Sequence, residues 1–262
     1  MKKKLFIIGG AGNIYFQQLY MKINGYEYSV SELLVLKKIR SLLGHTHHEL
    51  AADRLLNYQK NENLFIDVIF ILDLCFGFLF KKTLFTVVDL RSLKTSALLK
   101  SIFYVGYFQE NLNIDLQNAN YKLVKEKFNS KMLDCDLCLH IRGGDFIRSN
   151  SQLSRDYYVK AIELIRSKID ITNFNVKVVT NDINFSKLIL KGIYLGKNCQ
   201  FVSGNAVDDL SIIMSSKNLI SSNSTFAFMA IIEGDNKNIT ILPKELLSKF
   251  YIQYDTESTF FL

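Results

Sequence analysis

The sequence predicts an α/β fold built on parallel β-sheets, and three observations support this class. In the second half of the chain, short apolar runs alternate with segments of helical periodicity, as in strands joined by crossover helices. The chain also opens with a short apolar run, a glycine turn and a helical segment. Finally, 262 residues with 48% hydrophobic and 22% charged content provide ample core for one large or two ordinary domains.

The first strand is predicted at Leu5–Ile8, followed by a turn through Gly9-Gly10-Ala11-Gly12-Asn13 and a helix from about Tyr15 to Ile23. A glycine turn before a helix brings backbone N–H groups close to a phosphate. The dinucleotide-binding fingerprint is not met, because Tyr15 stands where its third glycine would be. A structural turn and a ligand loop therefore both stay open at this position.

Residues 31–63 are predicted to be helical and polar, with a cluster of three histidines, His45, His47 and His48. We interpret the cluster as part of a solvated helix or loop, because beyond Glu49 no further metal ligand stands at helical spacing.

The most hydrophobic run, Leu64–Phe80, is close to the lower length limit for a membrane span and contains Asp67 and Asp73. Each aspartate at the centre of a spanning helix costs roughly 2.5–3.5 kcal/mol. We therefore predict that the run is buried in the first domain or rests with an edge on a membrane.

The remaining elements alternate between strand and helix through the second half, which predicts a doubly wound parallel sheet. A rise in polarity near Asn118–Lys131 predicts a boundary between domains of residues 1–130 and 131–262. Strands are predicted at Val87–Asp89, Ile102–Val105, Leu137–Ile141, Phe174–Val179, Cys199–Val202, Asn218–Ile220 and Ile239–Leu242, the last of the chain. Helices are predicted at Ser154–Ile169, with Ser154 as N-cap, at about Asn184–Leu190, at Ala206–Ser216 and from Phe226 to Ile232.

One stretch, Leu137–Phe146, carries the strongest functional indication. It is an apolar run that ends in Arg142, two glycines and Asp145. In open α/β sheets, ligands bind just beyond the carboxyl ends of strands, so His140, Arg142 and Asp145 are predicted at a ligand cleft. Arginine suits a phosphate, and Gly144 lets backbone N–H groups approach one closely. We predict an anion-binding strand end, suited to a nucleotide diphosphate.

Two other predicted strands also end in polar residues, Thr180–Asp182 and Ser221–Thr225. In a parallel sheet all three strand ends lie at one edge and line a single cleft. Hydroxyl groups at a helix N-terminus suit phosphate oxygens, although serine, threonine and Asp182 also serve as ordinary helix caps. Asp134-Cys135-Asp136 lies at the opposite edge, and we interpret it as a solvated strand entrance.

Charge and cysteine content narrow the class of protein. A net charge of +7 suits an anionic ligand or surface, but dispersed basic residues argue against a nucleic-acid-binding protein. Cys135 and Cys138 form a C-x-x-C without a second pair, so buried free thiols in a reducing compartment are favoured. Only four apolar residues follow the first lysines, fewer than a secretory signal needs. We expect a cytoplasmic protein, at most peripheral to the cytoplasmic membrane face.

Ordered motifs from residue 9 to about residue 230 resemble the bacterial α-1,2-fucosyltransferases, glycosyltransferase family 11. The family pattern G-G-L-G-N-Q-x-F-Q is similar to residues 9–17, G-Y-W-Q to residues 106–109, and H-x-R-R-G-D-Y to residues 140–146. Y-Y-x-x-A-I is matched at residues 157–162, S-D-D-I at 180–183, and S-N-S-T-F-S-W-W-A at 222–230. D-L-x-x-M-S is similar to residues 209–215, which have one additional residue before Met214.

The resemblance implies a GT-B architecture of two Rossmann-like domains facing a cleft, with the acceptor side in the first domain and GDP-fucose in the second. It implies an inverting, metal-independent transfer of L-fucose to a sugar hydroxyl, usually galactose O2, in surface polysaccharide (O-antigen or capsule) synthesis. Arg142 matches the arginine that binds the donor diphosphate, and Asp145 is the nearest candidate base, although a turn-fixing role is favoured. The predicted catalytic residues are Arg142 and Asp145, and the predicted substrate-binding residues are Gly10, Gly12, Asn13, His140, Gly144, Asn181, Asp182, Ser222, Asn223, Ser224 and Thr225.

The sequence departs from the family pattern at two positions of this site. Gly143 replaces the second arginine, and Asn181 replaces the first acid of S-D-D, a position expected to touch guanine. Two alternatives therefore stay open: a transferase that uses another nucleotide sugar, and an inactive relative that binds nucleotide or glycan.

Overall fold

The computed structural model describes residues 2–31, 54–56, 58, 64–80, 82–90, 93–99, 101–116, 121, 123–124, 134–234 and 237–262. The predicted helical segment 31–63 and its histidine cluster lie almost wholly outside these residues. The chain divides into two compact units, one of Met1–Leu112 and Leu123–Lys125, the other of Asn113–Lys122 and Glu126–Leu262. Each unit contains a mainly or wholly parallel β-sheet and helices, so the predicted α/β class, with two Rossmann-like units of the kind that a GT-B fold combines, is confirmed. The predicted boundary at residue 130 falls among residues 125–133, outside the described part, and stays a prediction.

The first unit is built on a five-stranded sheet with the strand order β2-β1-β5-β3-β4. All neighbouring strands are parallel except β4, which pairs antiparallel with β3 at one edge. The strands are β1 (Lys3–Phe6), β2 (Tyr28–Ser31), β3 (Thr86–Leu90), β4 (Leu93–Thr95) and β5 (Phe103–Gly106). Among the described residues of this unit, the α-helices with defined bounds are α1 (Ala11–Ile23) and α2 (Leu64–Phe80).

Helix α1 ends at Ile23 as predicted, but it begins at Ala11, four residues before the predicted start at about Tyr15. The predicted start was wrong. Gly10 is extended at the N-cap, and its carbonyl accepts a hydrogen bond from the backbone N–H of Ile14 at 3.0 Å, which closes the first turn. Gly12 and Asn13 therefore lie in the first helical turn and not in a loop. Because the glycines add no helix propensity, this early start comes from the surrounding fold.

Helix α2 coincides with the apolar run Leu64–Phe80 and turns two carboxylates inward, while part of its apolar surface stays exposed. Asp73 accepts hydrogen bonds from the backbone N–H groups of Leu84 (2.6 Å) and Phe85 (2.9 Å) and from Thr86 Oγ1 (2.7 Å). These bonds hold the connection from α2 into β3 and explain why so apolar a helix contains a buried acid. Among the described residues, no helix is both long enough and apolar enough to cross a membrane.

The second unit is built on a six-stranded, wholly parallel sheet with the order β13-β11-β10-β7-β8-β9, which confirms the predicted parallel sheet. The strands are β7 (Leu137–Ile141), β8 (Asn175–Thr180), β9 (Asn198–Val202), β10 (Asn218–Ile220), β11 (Ile239–Leu242) and β13 (Thr259–Phe261). The helices are α3 (Asp145–Arg148), α4 (Arg155–Lys168), α5 (Ile183–Ile189), α6 (Ala206–Ser215) and α7 (Thr225–Glu233).

Two strands after Ile239–Leu242 contradict the prediction that this strand is the last. One is β13, at the edge of the large sheet, and the other is β12 (Tyr251–Gln253), which pairs in parallel with β6 (Asn113–Asp115). Both are three residues long, too short for a periodic pattern, so only their pairing partners make them strands.

The amino end of β7 is a strand entrance, as interpreted from the sequence. Asp136 accepts a hydrogen bond from the backbone N–H of Asn175 at 3.0 Å and pairs with Lys217 Nζ at 2.7 Å. Strand β7 itself is buried at all five positions. All four cysteines are free thiols; Cys135 and Cys138 are buried as expected, whereas Cys75 is exposed.

Candidate functional site

The carboxyl ends of β10, β7 and β8 are neighbours at one edge of the second sheet. Leu139 of β7 pairs with Ile220, and Ile141 pairs with Thr180, so the segments that follow these strands emerge side by side. The fold therefore brings together the three predicted polar strand ends, which the chain separates widely. They contain all the predicted site residues of the second unit.

Arg142 is held at this edge by Asp145. Arg142 Nη2 donates a hydrogen bond to Asp145 Oδ2 at 3.1 Å, and Nε lies 3.0 Å from Oδ1. The second contact is electrostatic, because Nε does not point along a hydrogen bond to that oxygen. The guanidinium also stacks over the ring of Phe146, 5.5 Å from its centroid. Burial alone raises the pKa of Asp145, but the hydrogen bond and charge of Arg142 outweigh it, so the pKa is lowered.

The two positions after Arg142 require glycine for different structural reasons. Gly144 adopts a positive φ of 52°, which favours glycine. A Cβ on Gly143 would lie 2.8 Å from Cβ of Asp182 and 2.9 Å from Cδ1 of Phe185. The position of the family's second arginine therefore has no room for a side chain unless α5 moves.

Asn181 joins two strand ends through both ends of its amide. Its Oδ1 accepts a hydrogen bond from the backbone N–H of Gly143 at 2.9 Å, and its Nδ2 donates to Asp145 Oδ1 at 3.2 Å. The neighbouring Asp182 caps α5, since its Oδ1 accepts from the backbone N–H of Phe185 at 3.0 Å. Both side chains thus make bonds that organise the loop around Arg142.

His140 is buried in β7, two residues before Arg142. Its Nδ1 forms a hydrogen bond of 2.8 Å with Ser222 Oγ, which links the end of β7 to the segment after β10. Burial, reinforced by the charge of Arg142, lowers the pKa of His140 to about 3. The imidazole is therefore neutral near pH 7 and adds no positive charge to the site.

The segment after β10 is also tied into the site. Ser224 Oγ accepts from the backbone N–H of Phe226 at 3.3 Å and caps α7, where Thr225 is the first residue. Asn223 Nδ2 donates to the carbonyl of Ser151 at 2.9 Å. Asn223 Oδ1 and Arg142 Nε are buried without a hydrogen-bond partner among the described residues. The charge of Asp145 balances Arg142 Nε, whereas Asn223 Oδ1 has no such partner. Unsatisfied buried polar atoms are rare, so Asn223 Oδ1 favours a polar ligand at this site.

Asp209 is a further acidic residue near this site that the sequence reasoning did not select. It lies in the first turn of α6 and accepts a hydrogen bond from the backbone N–H of Gly204 at 3.2 Å. Burial raises the pKa of Asp209 to about 6, the neighbouring Asp208 adds to this, and the charge of Arg142 opposes it. Its match to the family's D-L-x-x-M-S motif was the only sequence signal, because helical periodicity does not distinguish it from Asp208.

The predicted glycine loop belongs to the first unit. Gln17 holds it, because its side-chain amide donates to the carbonyl of Ile8 at 2.7 Å and accepts from the N–H of Ile8 at 3.1 Å. Asn13 Oδ1 accepts a hydrogen bond from Gln109 Nε2 at 3.1 Å. Two motifs that are far apart in sequence, at residues 9–17 and 106–109, are thereby joined within this unit.

Within the described part of the chain, no group of three or more histidine, cysteine or acidic side chains is placed to hold a metal ion. The prediction that no metal is required stays a prediction.

The fold and the site define an α/β protein with an arginine-centred, polar strand end in its second sheet. The sequence profile described as Glycosyl transferase family 11 matches residues 90–260, which is more than half of the chain. The chain therefore belongs to glycosyl transferase family 11, and the resemblance drawn from its motifs is confirmed. It is a glycosyltransferase by family.

The chain is similar to a crystal structure of NodZ alpha-1,6-fucosyltransferase soaked with GDP-fucose, with a TM-score of 0.44 and 10% identity, over 89% of this chain and 93% of that chain. No curated protein matches the chain at a significant level of sequence similarity.

Proposed function

We propose that the chain is an inverting fucosyltransferase that moves L-fucose from GDP-β-L-fucose to a sugar hydroxyl, with galactose O2 and an α-1,2 linkage as the preferred product. Family membership and the ordered motifs support this proposal. The single observation that carries it is the position of Arg142, whose guanidinium lies at the carboxyl end of a buried parallel strand and is oriented by Asp145.

In the proposed reaction, the acceptor hydroxyl oxygen attacks C1 of fucose as the bond from C1 to the diphosphate oxygen breaks. The electron pair of that bond leaves with GDP, so negative charge grows on the diphosphate, and the acceptor hydroxyl releases its proton to the solvent. A fixed cation stabilises this charge more in the transition state than in the ground state. We assign this role to Arg142, because its pairing with Asp145 reduces the freedom that it would otherwise lose when the diphosphate binds.

Asp145 acts in this proposal as a positioning residue for Arg142 and not as the general base. A carboxylate that is bonded to Arg142 and Asn181 and has a lowered pKa is a weak proton acceptor. This favours the turn-fixing alternative that the sequence left open.

The diphosphate would also contact the polar segment Ser222–Thr225 at the start of α7. The helix N-terminus and its hydroxyl groups favour an anion, and the unpaired Asn223 Oδ1 would accept a donor from the nucleotide or sugar. Neutral His140 supports this segment through Ser222. We assign acceptor binding to the first unit, with Gly10, Gly12 and Asn13 contributing from the start of α1. We further propose that no metal is needed and that the enzyme works in the cytoplasm on surface polysaccharide.

The test is incubation of the full chain with GDP-fucose and a panel of galactosides, with product mass and linkage analysis. Addition of one deoxyhexose residue, in the presence of a metal chelator, supports the proposal, and an α-1,2 linkage supports its finer part. Failure to form product from any galactoside, together with no binding of GDP by calorimetry, would overturn it.

A second candidate is a transferase that uses another nucleotide sugar. It is favoured by Asn181, whose amide is engaged with Gly143 and Asp145 at both ends and so has less capacity to select guanine. Calorimetry with GDP, ADP and UDP separates the two, because the main proposal requires GDP to bind most tightly.

A further inference from the structure

One side of helix α2 presents apolar side chains to solvent. The exposed positions recur at intervals of three and four residues, so they form a single stripe along the helix. Meanwhile Asp67 and Asp73 face the interior. The inward side is also apolar, because Phe70 is buried against Phe6 of β1. The helix therefore differs from an ordinary surface helix, whose solvent-facing side is polar. The stripe consists of Phe65, Val68, Leu72, Cys75 and Leu79.

The stripe widens at the carboxyl end of α2. Phe78 and Phe80 are exposed beside Leu79. Leu98 and Leu99 are also exposed, and their backbone N–H groups donate to the carbonyls of Thr83 and Leu84, each at 2.9 Å, just after the end of the helix. We call the stripe together with Phe78, Phe80, Leu98 and Leu99 the apolar surface of the first unit. Contiguous apolar surface of this extent marks an interaction site.

The charge around the apolar surface identifies the partner. The first 112 residues contain 14 basic and 9 acidic residues, and two of the acids, Asp67 and Asp73, are buried. Between residues 81 and 100, five basic residues accompany a single acid, Asp89. Lys94 is paired with Glu110 at 2.7 Å, whereas Lys82 is exposed directly after the helix. Apolar side chains flanked by lysines suit the boundary between anionic headgroups and acyl chains.

We propose that the apolar surface binds an anionic lipid bilayer, with α2 lying in the interface rather than crossing it. The hydrogen bonds of Asp73 to residues 84–86 and the packing of Phe70 against Phe6 hold α2 to its own sheet, which favours a helix that lies in the interface over one that spans. Binding combines burial of the stripe with electrostatic attraction between the basic residues at positions 81–100 and the lipid headgroups. This inference does not depend on the donor sugar or on the linkage formed.

The test is sedimentation of the full chain with vesicles of phosphatidylcholine alone and of phosphatidylcholine mixed in equal parts with phosphatidylglycerol. We expect binding to the anionic vesicles that weakens as salt is added, because headgroup attraction is screened. The double variant Leu72→Ser/Leu79→Ser should bind at least about tenfold more weakly, since two exposed leucines no longer enter the apolar phase. Lys82→Glu should weaken binding to anionic vesicles on the order of tenfold and should not change binding to vesicles of phosphatidylcholine alone.

The chain offers a matched control. Leu188 is a helical leucine of the second unit with 66% exposure, against 64% for Leu72, so Leu188→Ser changes the same chemistry elsewhere. It should bind vesicles like the wild type. Circular dichroism and unchanged thermal unfolding verify that the variants fold. The proposal is overturned if the wild type binds neither vesicle, if the control and the double variant lose binding equally, or if the wild type is a dimer that the double variant makes monomeric.

Discussion

Arg142 and Asp145 form a two-point contact at the end of β7, with Nη2 to Oδ2 at 3.1 Å and Nε to Oδ1 at 3.0 Å. The contact orients a guanidinium that is only partly exposed, with 22% of its side-chain surface accessible. Because Asp145 is itself bonded to Asn181, the orientation of Arg142 depends on two neighbouring strand ends.

Arg142→Ala should reduce turnover by about a hundredfold to a thousandfold, because removal of one preorganised charge-stabilising group typically costs ~2.7–4 kcal/mol. Steady-state transfer from GDP-fucose measures the loss. Arg148→Ala removes an exposed arginine six residues further along the chain, and its turnover should be close to that of the wild type. Near-normal turnover of Arg142→Ala would remove this residue from the mechanism.

Asn181→Ala should lower kcat without changing which nucleotide binds best. The variant loses the bonds to Gly143 and Asp145, so Arg142 is less firmly oriented, and a loss of about tenfold is expected. Competition between GDP, ADP and UDP is the readout. A change in base preference would instead show that Asn181 contacts the base, as the sequence suggested.

Ser222→Ala should destabilise the second unit by about 1–3 kcal/mol, because the buried His140 Nδ1 loses its 2.8 Å partner. Urea unfolding at pH 7 measures the difference. Ser203→Ala, at an exposed loop position, serves as the control and should unfold like the wild type. Equal stability of both variants would mean that the link between β7 and the segment after β10 contributes nothing.

Acid should destabilise the protein through His140. Its folded pKa of about 3 lies below the ordinary value of 6.5, so its stabilising contribution is complete above pH 6.5 and is lost as the pH falls towards 3. Between pH 7 and pH 4 the loss is on the order of 2–4 kcal/mol.

The measurement compares urea unfolding of the wild type and of His140→Asn at several pH values. Asp209 has a raised pKa and acts in the opposite direction, but it is present in both proteins and cancels in the difference. Parallel pH profiles for the two proteins would contradict a buried, neutral histidine.

Asp73→Ala should lower the free energy of unfolding of the first unit by about 3 kcal/mol or more. Two backbone N–H groups and the hydroxyl of Thr86 lose their acceptor, and each unsatisfied group costs ~1–3 kcal/mol. Asp73→Asn keeps one acceptor oxygen, so its free energy of unfolding should lie between those of the wild type and Asp73→Ala. Glu110→Ala loses only the exposed pair with Lys94, which solvent screens and which contributes little to stability, so this variant serves as the control in chemical denaturation. If Asp73→Ala lowers the free energy of unfolding no more than Glu110→Ala does, Asp73 does not hold the connection from α2 into β3.

Much of the second unit could be predicted because its elements are defined by local patterns. Asn218–Ile220 and Ile239–Leu242 have the predicted bounds, and Ser154 caps its helix by accepting from the backbone N–H of Tyr157. Periodicity and capping act over a few residues, so they are visible in one sequence. The early start of α1 could not be predicted, because Gly9, Gly10 and Gly12 indicate a turn in the sequence. Only the tertiary structure shows that the helix includes Gly12.

The sequence by itself determined the order of the longer strands and helices of the second unit and the polar residues at three strand ends, since both depend on short-range chemistry. Only the tertiary structure decided which of those residues meet. His140 and Ser222 are separated by 82 positions, and Gly143 and Asn181 by 38, so their bonds exist only because β10, β7 and β8 are neighbours. The same holds for the raised pKa of Asp209 and the outward apolar side of α2, because burial is a property of packing and not of residue type.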